Sequence, residues 1–382
     1  MPRILIIHGN LLTFNNVKPY VEDGFVYIED DVIVDYGGMD DLREEYRRAD
    51  LVLNSNKRIV MPCLISAHTH LALYPVRFMA SNYSSLDEWI EGVALRYERE
   101  LREEVSRSAA VLALAELMEH GVGGVVDMHF NMDAIAGVLL NTGLYANLSV
   151  AIMGGGPYSS EDDALKDNLR LYENWNGAGG GRITVSLGPC TIRYVSKRLL
   201  EEVASLSREK EVGVHMHLSE VKEDVDYCKK NYGKRPVELL EELGLLSERS
   251  VFAHAVWLSL REIKLLTKHG STVVHCPSIN SLLFDGVAPL PELKRGGVGF
   301  GIGVDCAPKY SVLDEIYSST IVYRVTYGPP QRISSRELLE YSIKYGCKAL
   351  LLNQPLGAID KGFKASLTIL DLKPPARITL DE

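Results

Sequence analysis

The first 60 or so residues read as short β-rich runs. ILIIHGNLLTF, GFVYIEDDVIVDYGG and DLVLNSNKRIVMP are broken by Gly, Asn and Asp. From about residue 61 the pattern changes. Short apolar runs now alternate with stretches whose apolar positions recur at helical spacing. Strands are predicted near 63–68, 123–128, 146–152, 182–188, 212–217, 250–254, 272–275 and 298–304. Helices are predicted between them, among them EVSRSAAVLALAELMEHG, SKRLLEEVASLSREK and SLREIKLLTKHG. The first and last of these end in glycine, as helix C-termini often do. Eight strands alternating with helices predict an α/β (β/α)8 barrel over residues 61–354. A doubly wound sheet is the alternative reading. GAIDKGFKASLTILDL (357–372) returns to a strand pattern. Residues 1–60 and 355–382 together therefore predict a small β domain.

Composition narrows the function classes. The chain has 382 residues, 46% of them hydrophobic, enough for a large buried core. Its net charge of −10 argues against non-specific binding to nucleic acid or to an anionic membrane. No apolar run reaches membrane-spanning length. The opening MPRILIIHGNLLTF lacks the long apolar core and small-residue cleavage site of a secretory leader, so a cytoplasmic protein is expected. The six cysteines (63, 190, 228, 276, 306 and 347) are scattered without a C-x-x-C pair, and they form neither a disulfide framework nor a thiolate zinc motif. NGAGGGR (176–182) lacks the Lys-Ser/Thr of a phosphate loop and is read as a turn.

The candidate chemistry lies at the predicted strand ends, where barrels of this type carry their catalytic groups. MPCLISAHTH ends the first strand on His68 and His70, and EVGVHMHLSE brings His215 and His217, then Glu220. SVFAHAVWL carries His254, STVVHCPSIN carries His275 and GFGIGVDCAP carries Asp305. His129 follows the second strand. Imidazoles together with a carboxylate suit Zn²⁺ or another divalent first-row metal such as Fe²⁺. His68, His70, His217 and Asp305 are the expected ligands. His215 shares a strand face with His217 and is left as a supporting or packing residue. RITVSLGPC has no lysine to carry a bridging carbamate, which favours one metal. Glu220, just past its strand, is placed as a proton shuttle, with the N-terminal charge of the next helix as its plainer reading.

These residues match a family pattern. The chain resembles the amidohydrolase superfamily, in the branch of S-adenosylhomocysteine/methylthioadenosine deaminases, guanine and cytosine deaminases and triazine chlorohydrolases. MPCLISAHTH is similar to P-G-L-[IV]-[ND]-x-H-x-H and HMHLSE to H-x-H-x-x-E. AHAVWL, HCPSIN and GIGVDCAP resemble the later motifs in order, as do LDEWI, VDMHF and NLRLYENWNG. The resemblance implies hydrolytic deamination of a purine- or nucleoside-like heterocycle by metal-activated water, with release of ammonia. It implies His68, His70, His217 and Asp305 as metal ligands. It further implies Glu220 as proton carrier to the ring nitrogen, His254 as stabiliser of developing charge and Asp305 as proton carrier to the leaving ammonia. Trp89 and Glu98 match the stretch that holds a ribose, with a solvated helix charge as the plain reading of Glu98. Cys190 and His275 fall where substrate-facing groups are expected, and a packed histidine is the plain reading of His275.

The departures concern substrate. G-P-H is here GPC, with Cys190; LSVAIMGGG lacks an arginine; S-N-x-K becomes INSLL; D-G-A-A-S becomes DCAPKYS. Groups that would grip a carboxylate tail are gone, which suits a smaller or less charged substrate or moves the grip elsewhere. The chain also ends soon after ASLTILDL, so the accessory β-sandwich is expected to be reduced, with a second subunit as one way of covering its edge. Two rival functions share the sequence. One is hydrolysis of another C–N or a C–halogen bond at the same metal site, and the other is a catalytically silent metal-binding homologue.

Overall fold

Sequence order in this chain maps onto two kinds of sheet. The structure is a computed structural model that describes residues 2–154, 156–329 and 333–371. Its strands are β1 (Arg3–Leu12), β2 (Tyr20–Glu29), β3 (Val32–Gly38), β4 (Leu51–Asn54) and β5 (Arg58–Pro62). There follow β6 (Leu64–Thr69), β7 (Val122–His129), β8 (Tyr145–Val150), β9 (Ile183–Val185) and β10 (Val214–Leu218). The last are β11 (Ser250–His254), β12 (Thr272–His275), β13 (Gly299–Ile302) and β14 (Leu367–Asp371). Strands β6 to β13 are the eight expected from the apolar runs.

The chain divides into two compact units, one within Met1–Leu64, Gly121–Gly123 and Asn353–Glu382, the other within Ile65–His120 and Gly124–Leu352. In the first, six strands form one mixed sheet in the order β14-β5-β1-β2-β3, with β4 also on β1. A β-sandwich was the expectation; among the described residues it is a single sheet with apolar clusters on both faces. Ile6, Val26, Ile28 and Val60 pack in one cluster, Leu5, Phe25 and Tyr27 in the other. That is why ILII and FVYI are unbroken apolar runs rather than alternating ones. The β-rich run DLVLNSNKRIVMP is split by a turn at Lys57, φ +62°. Its halves, β4 and β5, pair in parallel with successive parts of β1. Likewise the predicted strand over 357–372 is confined to Leu367–Asp371, because Gly357 and Gly362 turn at φ +94° and +84°. Residues 372–382 of that β segment lie outside the described residues.

In the second unit, parallel sheets β6-β7-β8-β9 and β10-β11-β12-β13 meet at two parallel bridges, Leu187 with Val214 and Thr69 with Asp305. The bridges close the eight strands into a barrel, which excludes the doubly wound alternative. The strands are almost wholly buried, as strands with a packed interior and a helical outer layer must be. The predicted helices appear at Glu103–Glu119, Lys197–Lys210 and Leu260–His269. Among the described residues no helix is long and apolar enough to cross a membrane.

Candidate active site

Four residues with a Cβ at the C-terminal ends of the barrel strands have left-handed backbone. Ser219, His254, Ala255 and Asp305 take φ of +46°, +69°, +50° and +57°. For residues with a Cβ this left-handed geometry is costly and tends to persist at functional sites. At this rim the Asp305 amide donates to the His68 carbonyl and the His70 amide to the Asp305 carbonyl, at 3.0 and 3.3 Å. The barrel seam therefore sets three of the predicted ligands relative to one another.

Hydrogen bonds behind the imidazoles fix which nitrogen faces the centre. His70 Nδ1 lies 2.6 Å from the Met128 carbonyl and His217 Nδ1 lies 2.8 Å from the Cys190 carbonyl. A carbonyl only accepts, so each Nδ1 carries the proton and each Nε2 keeps a lone pair. For His68 the relay is longer. Ser149 Oγ donates to the Asp127 carbonyl and accepts from His215 Nδ1. His215 Nε2 then accepts from His68 Nδ1 at 2.8 Å. His68 Nε2 is left buried, with a lone pair and no partner. His215 is thus the residue that orients His68, the role left open by the strand-face argument.

Three lone pairs now converge. The Nε2 atoms of His70 and His217 stand 3.2 Å apart, a repulsive contact between two acceptors unless a cation lies beside them. Ligand atoms of His68, His70 and His217 lie within 4.8 Å of one another, and so do those of His68, His254 and Asp305. Asp305 oxygens are 3.6 Å from His68 Nε2 and 3.7 Å from His70 Nε2. Burial holds His68 well below the usual histidine value and brings His70 and His217 to about 4, so all three are neutral. A neutral imidazole set with a carboxylate and its backing hydrogen bonds fits a divalent first-row metal.

His254 differs from the three in its tautomer. Its Nδ1 accepts from Asn280 Nδ2 at 3.0 Å, and the same Nδ2 meets Asp285 Oδ2 at 3.0 Å. The Asp285 carboxylate holds the amide's NH2 end towards His254, which leaves the imidazole proton on Nε2. That nitrogen faces Asp305 Oδ2 at 3.4 Å. His254 is accordingly a donor towards the centre. Glu220 Oε1 lies 3.4 Å from His254 Nδ1. Burial, then the nearby Asp285, Asp305 and Asp224, raises the Glu220 carboxyl well above the usual range, which favours its acid form. Burial also raises Asp305, while His217 and the Cys306 amide oppose the rise.

A cavity opens over this centre, bounded by His70, His217, Glu220, His254 and Asp305. Trp89, Glu98 and Cys190 also line it. On an ideal helix Trp89 and Glu98 would lie half a turn apart. A π-turn at Ile90–Ala94 between two short α-helical segments alters that phase, and both residues are buried. Glu98 is therefore no solvated helix charge; its Oε1 is 3.2 Å from His129 Nε2. Cys190 contributes its carbonyl to His217, while its thiol, raised by burial, lies 3.9 Å from that ring. His275 is the exception. It is buried, both ring nitrogens lack a hydrogen-bond partner, and it is not among the residues lining the cavity. His8, His120 and His269 lie elsewhere, on Asp23, the Glu116 carbonyl and Glu241.

Asn280, Asp285, Ser149 and Arg193 escaped the reading of the sequence. Of these only Asn280 had a signal, the asparagine closing HCPSIN.

Comparison with known proteins agrees with this geometry. Residues 59–382 match the model described as the amidohydrolase family. A 5-methylthioadenosine/S-adenosylhomocysteine deaminase of Moorella thermoacetica is 33% identical over 383 residues, covering 98% of this chain and 87% of that one. A 5'-deoxyadenosine deaminase of Methanobrevibacter smithii is 32% identical over 365 residues, covering 95% and 82%. The crystal structure of an adenosine deaminase from Xanthomonas campestris with bound zinc superposes with a TM-score of 0.88 at 25% identity, covering 98% of this chain and 87% of that one.

Proposed function

The chain belongs to the amidohydrolase family, and from that premise we propose that it is a metal-dependent deaminase of adenosine-type nucleosides. The observation that carries the reading is the convergence of three imidazole lone pairs beside Asp305, with the buried Glu220 carboxyl and an Nε2–H donor on His254 around them. His68, His70, His217 and Asp305 would hold one divalent ion, Zn²⁺ first and Fe²⁺ second. Such an ion acidifies a water towards neutrality and so supplies the nucleophile.

The protein groups do the rest. Glu220 delivers its proton to the ring nitrogen beside the attacked carbon, so that negative charge does not build up there. His254 points its Nε2–H at the oxygen that gains charge, a preorganised donor of the oxyanion-hole kind. Asp305 takes one proton of the water and passes it to the departing amine, while the proton left on the added hydroxyl returns to Glu220 as the carbonyl forms. Water adds, ammonia leaves, and the ring keeps a carbonyl where it had an amino group. The buried Glu98 carboxylate accepts from ribose hydroxyls, and Trp89 lines the same cavity.

Ammonia release from metal-loaded protein tests the reading, using 5'-methylthioadenosine, 5'-deoxyadenosine, adenosine, guanine, cytosine and an aminotriazine. Release from the adenosine-type compounds is expected, and Glu220→Gln should lower kcat on the order of 10²–10⁴-fold. Release from a triazine or pyrimidine alone, or an unimpaired Glu220→Gln, would overturn it.

A further inference from the structure

Among the described residues, one lysine or arginine reaches the wall of the cavity, Arg193. Its charge is already engaged. Nη1 donates to both Asp87 oxygens at 2.8 and 3.0 Å, and Nε donates to Asp224 Oδ1 at 2.7 Å. Asp224 is itself tied down, since its Oδ2 accepts the amides of Glu220 and Val221. One side of the wall is apolar: Met128, Phe130, Ala151 and Met153 form one buried cluster, with Leu95 and Tyr194 packed on it. A second hollow shares Leu86 and Leu283 with the cavity and carries Asp87, Glu223 and Asp285 against Lys222. Whichever way the substrate's 5' substituent runs, it meets apolar surface or a surplus of carboxylates.

We infer that the Asp87–Arg193–Asp224 clamp makes this site selective for nucleosides whose 5' substituent is uncharged and apolar, and that it disfavours a carboxylate or phosphate there. The inference rests on the deaminase reading for its substrate class. Its physical basis is separate. An anion brought into the cavity loses water and meets only Arg193, already paired with two carboxylates; in the adjoining hollow Lys222 is outnumbered by Asp87, Glu223 and Asp285, so the desolvation is poorly recovered. An alkyl or methylthio group loses only water it binds weakly and gains contact with the apolar wall. Asp87 is the specificity-determining residue, because its side chain is 46% exposed and its removal frees Arg193 with little disturbance of the core.

Two measurements test this together. One is kcat/KM for ammonia release by the Zn²⁺-loaded protein from 5'-methylthioadenosine, S-adenosylhomocysteine and adenosine 5'-monophosphate. The other is calorimetric binding of the same three compounds to Zn²⁺-loaded Glu220→Gln. We expect at least a tenfold preference for the methylthio compound over the homocysteinyl one, with the phosphate poorer still. Asp87→Asn should narrow both ratios severalfold. Equal use or equal binding of the methylthio and homocysteinyl compounds would overturn the inference, as would ratios that Asp87→Asn leaves untouched. If the selectivity appears in binding while no compound releases ammonia, the clamp stands and the deaminase reading falls.

Discussion

At the level of single residues, the centre is defined as much by what stands behind the imidazoles as by the imidazoles. Three histidines present lone pairs because a carbonyl or His215 takes the other proton. His254 presents a proton because Asn280 donates to its far nitrogen. Spacing along strands makes His68, His70, His217, His254 and Asp305 legible in the sequence, since strand ends of a parallel barrel share one rim. The orienting groups are not legible. Asn280 and Asp285 sit on a short helix and the turn after it, and Ser149 is an ordinary strand serine until the closed barrel brings it to His215 across the intervening β9. Such groups should tell in distinct ways. Replacing His215 by Ala should weaken metal affinity ~10–100-fold, read by competition with a chelating dye. Replacing Asp285 by Asn should lower kcat by ~10-fold or more with KM little changed, because it frees the Asn280 amide to flip and loses the His254 tautomer. An unaltered kcat would show that His254 holds its tautomer without the Asp285 carboxylate.

For the elements, periodicity located all eight barrel strands, because buried parallel strands are plain apolar runs, and the three helices it named. It misplaced what depends on phase or partner. The π-turn at Ile90–Ala94 has no period of its own, and only the folded chain shows that it turns both Trp89 and Glu98 inward. Nor does the sequence reveal which stretch of β1 each of β4 and β5 pairs. A helix start gives an element-scale prediction. Glu262, fully buried, accepts from the amide and hydroxyl of Ser259, from the Val237 amide and from Arg235 Nε. It closes the capping box of Leu260–His269 and also ties down the start of Pro236–Leu243. Glu262→Ala strands these donors together and should cost ~3 kcal/mol in chemical denaturation. Ser259→Ala, which removes one cap partner, should cost ~1 kcal/mol. Equal losses would mean that the second helix gains nothing from Glu262.

The molecule as a whole keeps several acids inside the barrel unit, and its stability should depend on pH accordingly. Glu315 is the clearest case away from the metal centre. It lies in the first turn of Val312–Tyr327, is buried, and accepts from the Ser278 amide at 3.0 Å. Burial, opposed by that hydrogen bond, pushes its carboxyl up to about 8. In the unfolded chain the group ionises near the usual glutamate value, so between roughly pH 4.5 and 8 the folded state holds a proton that the unfolded state has released. Stability falls as pH rises through that window, by at most ~1.4 kcal/mol per unit from this group. Glu315→Gln keeps an oxygen for the Ser278 amide and removes the titration. Relative to the parent protein, the variant should gain stability steadily from pH 5 to pH 8, with no further gain above the folded value. Metal must be held constant in that comparison, because an ion that binds only the folded protein adds ~2.7 kcal/mol at a hundred times its dissociation constant. Running it both with chelator and with saturating Zn²⁺ separates the two effects. Chelation should lower the melting temperature of both proteins alike, while the pH-dependent gap between them persists. A gap that vanished on chelation would place Glu315 under the control of the metal centre, and parallel pH curves would show that it is already ionised in the folded barrel.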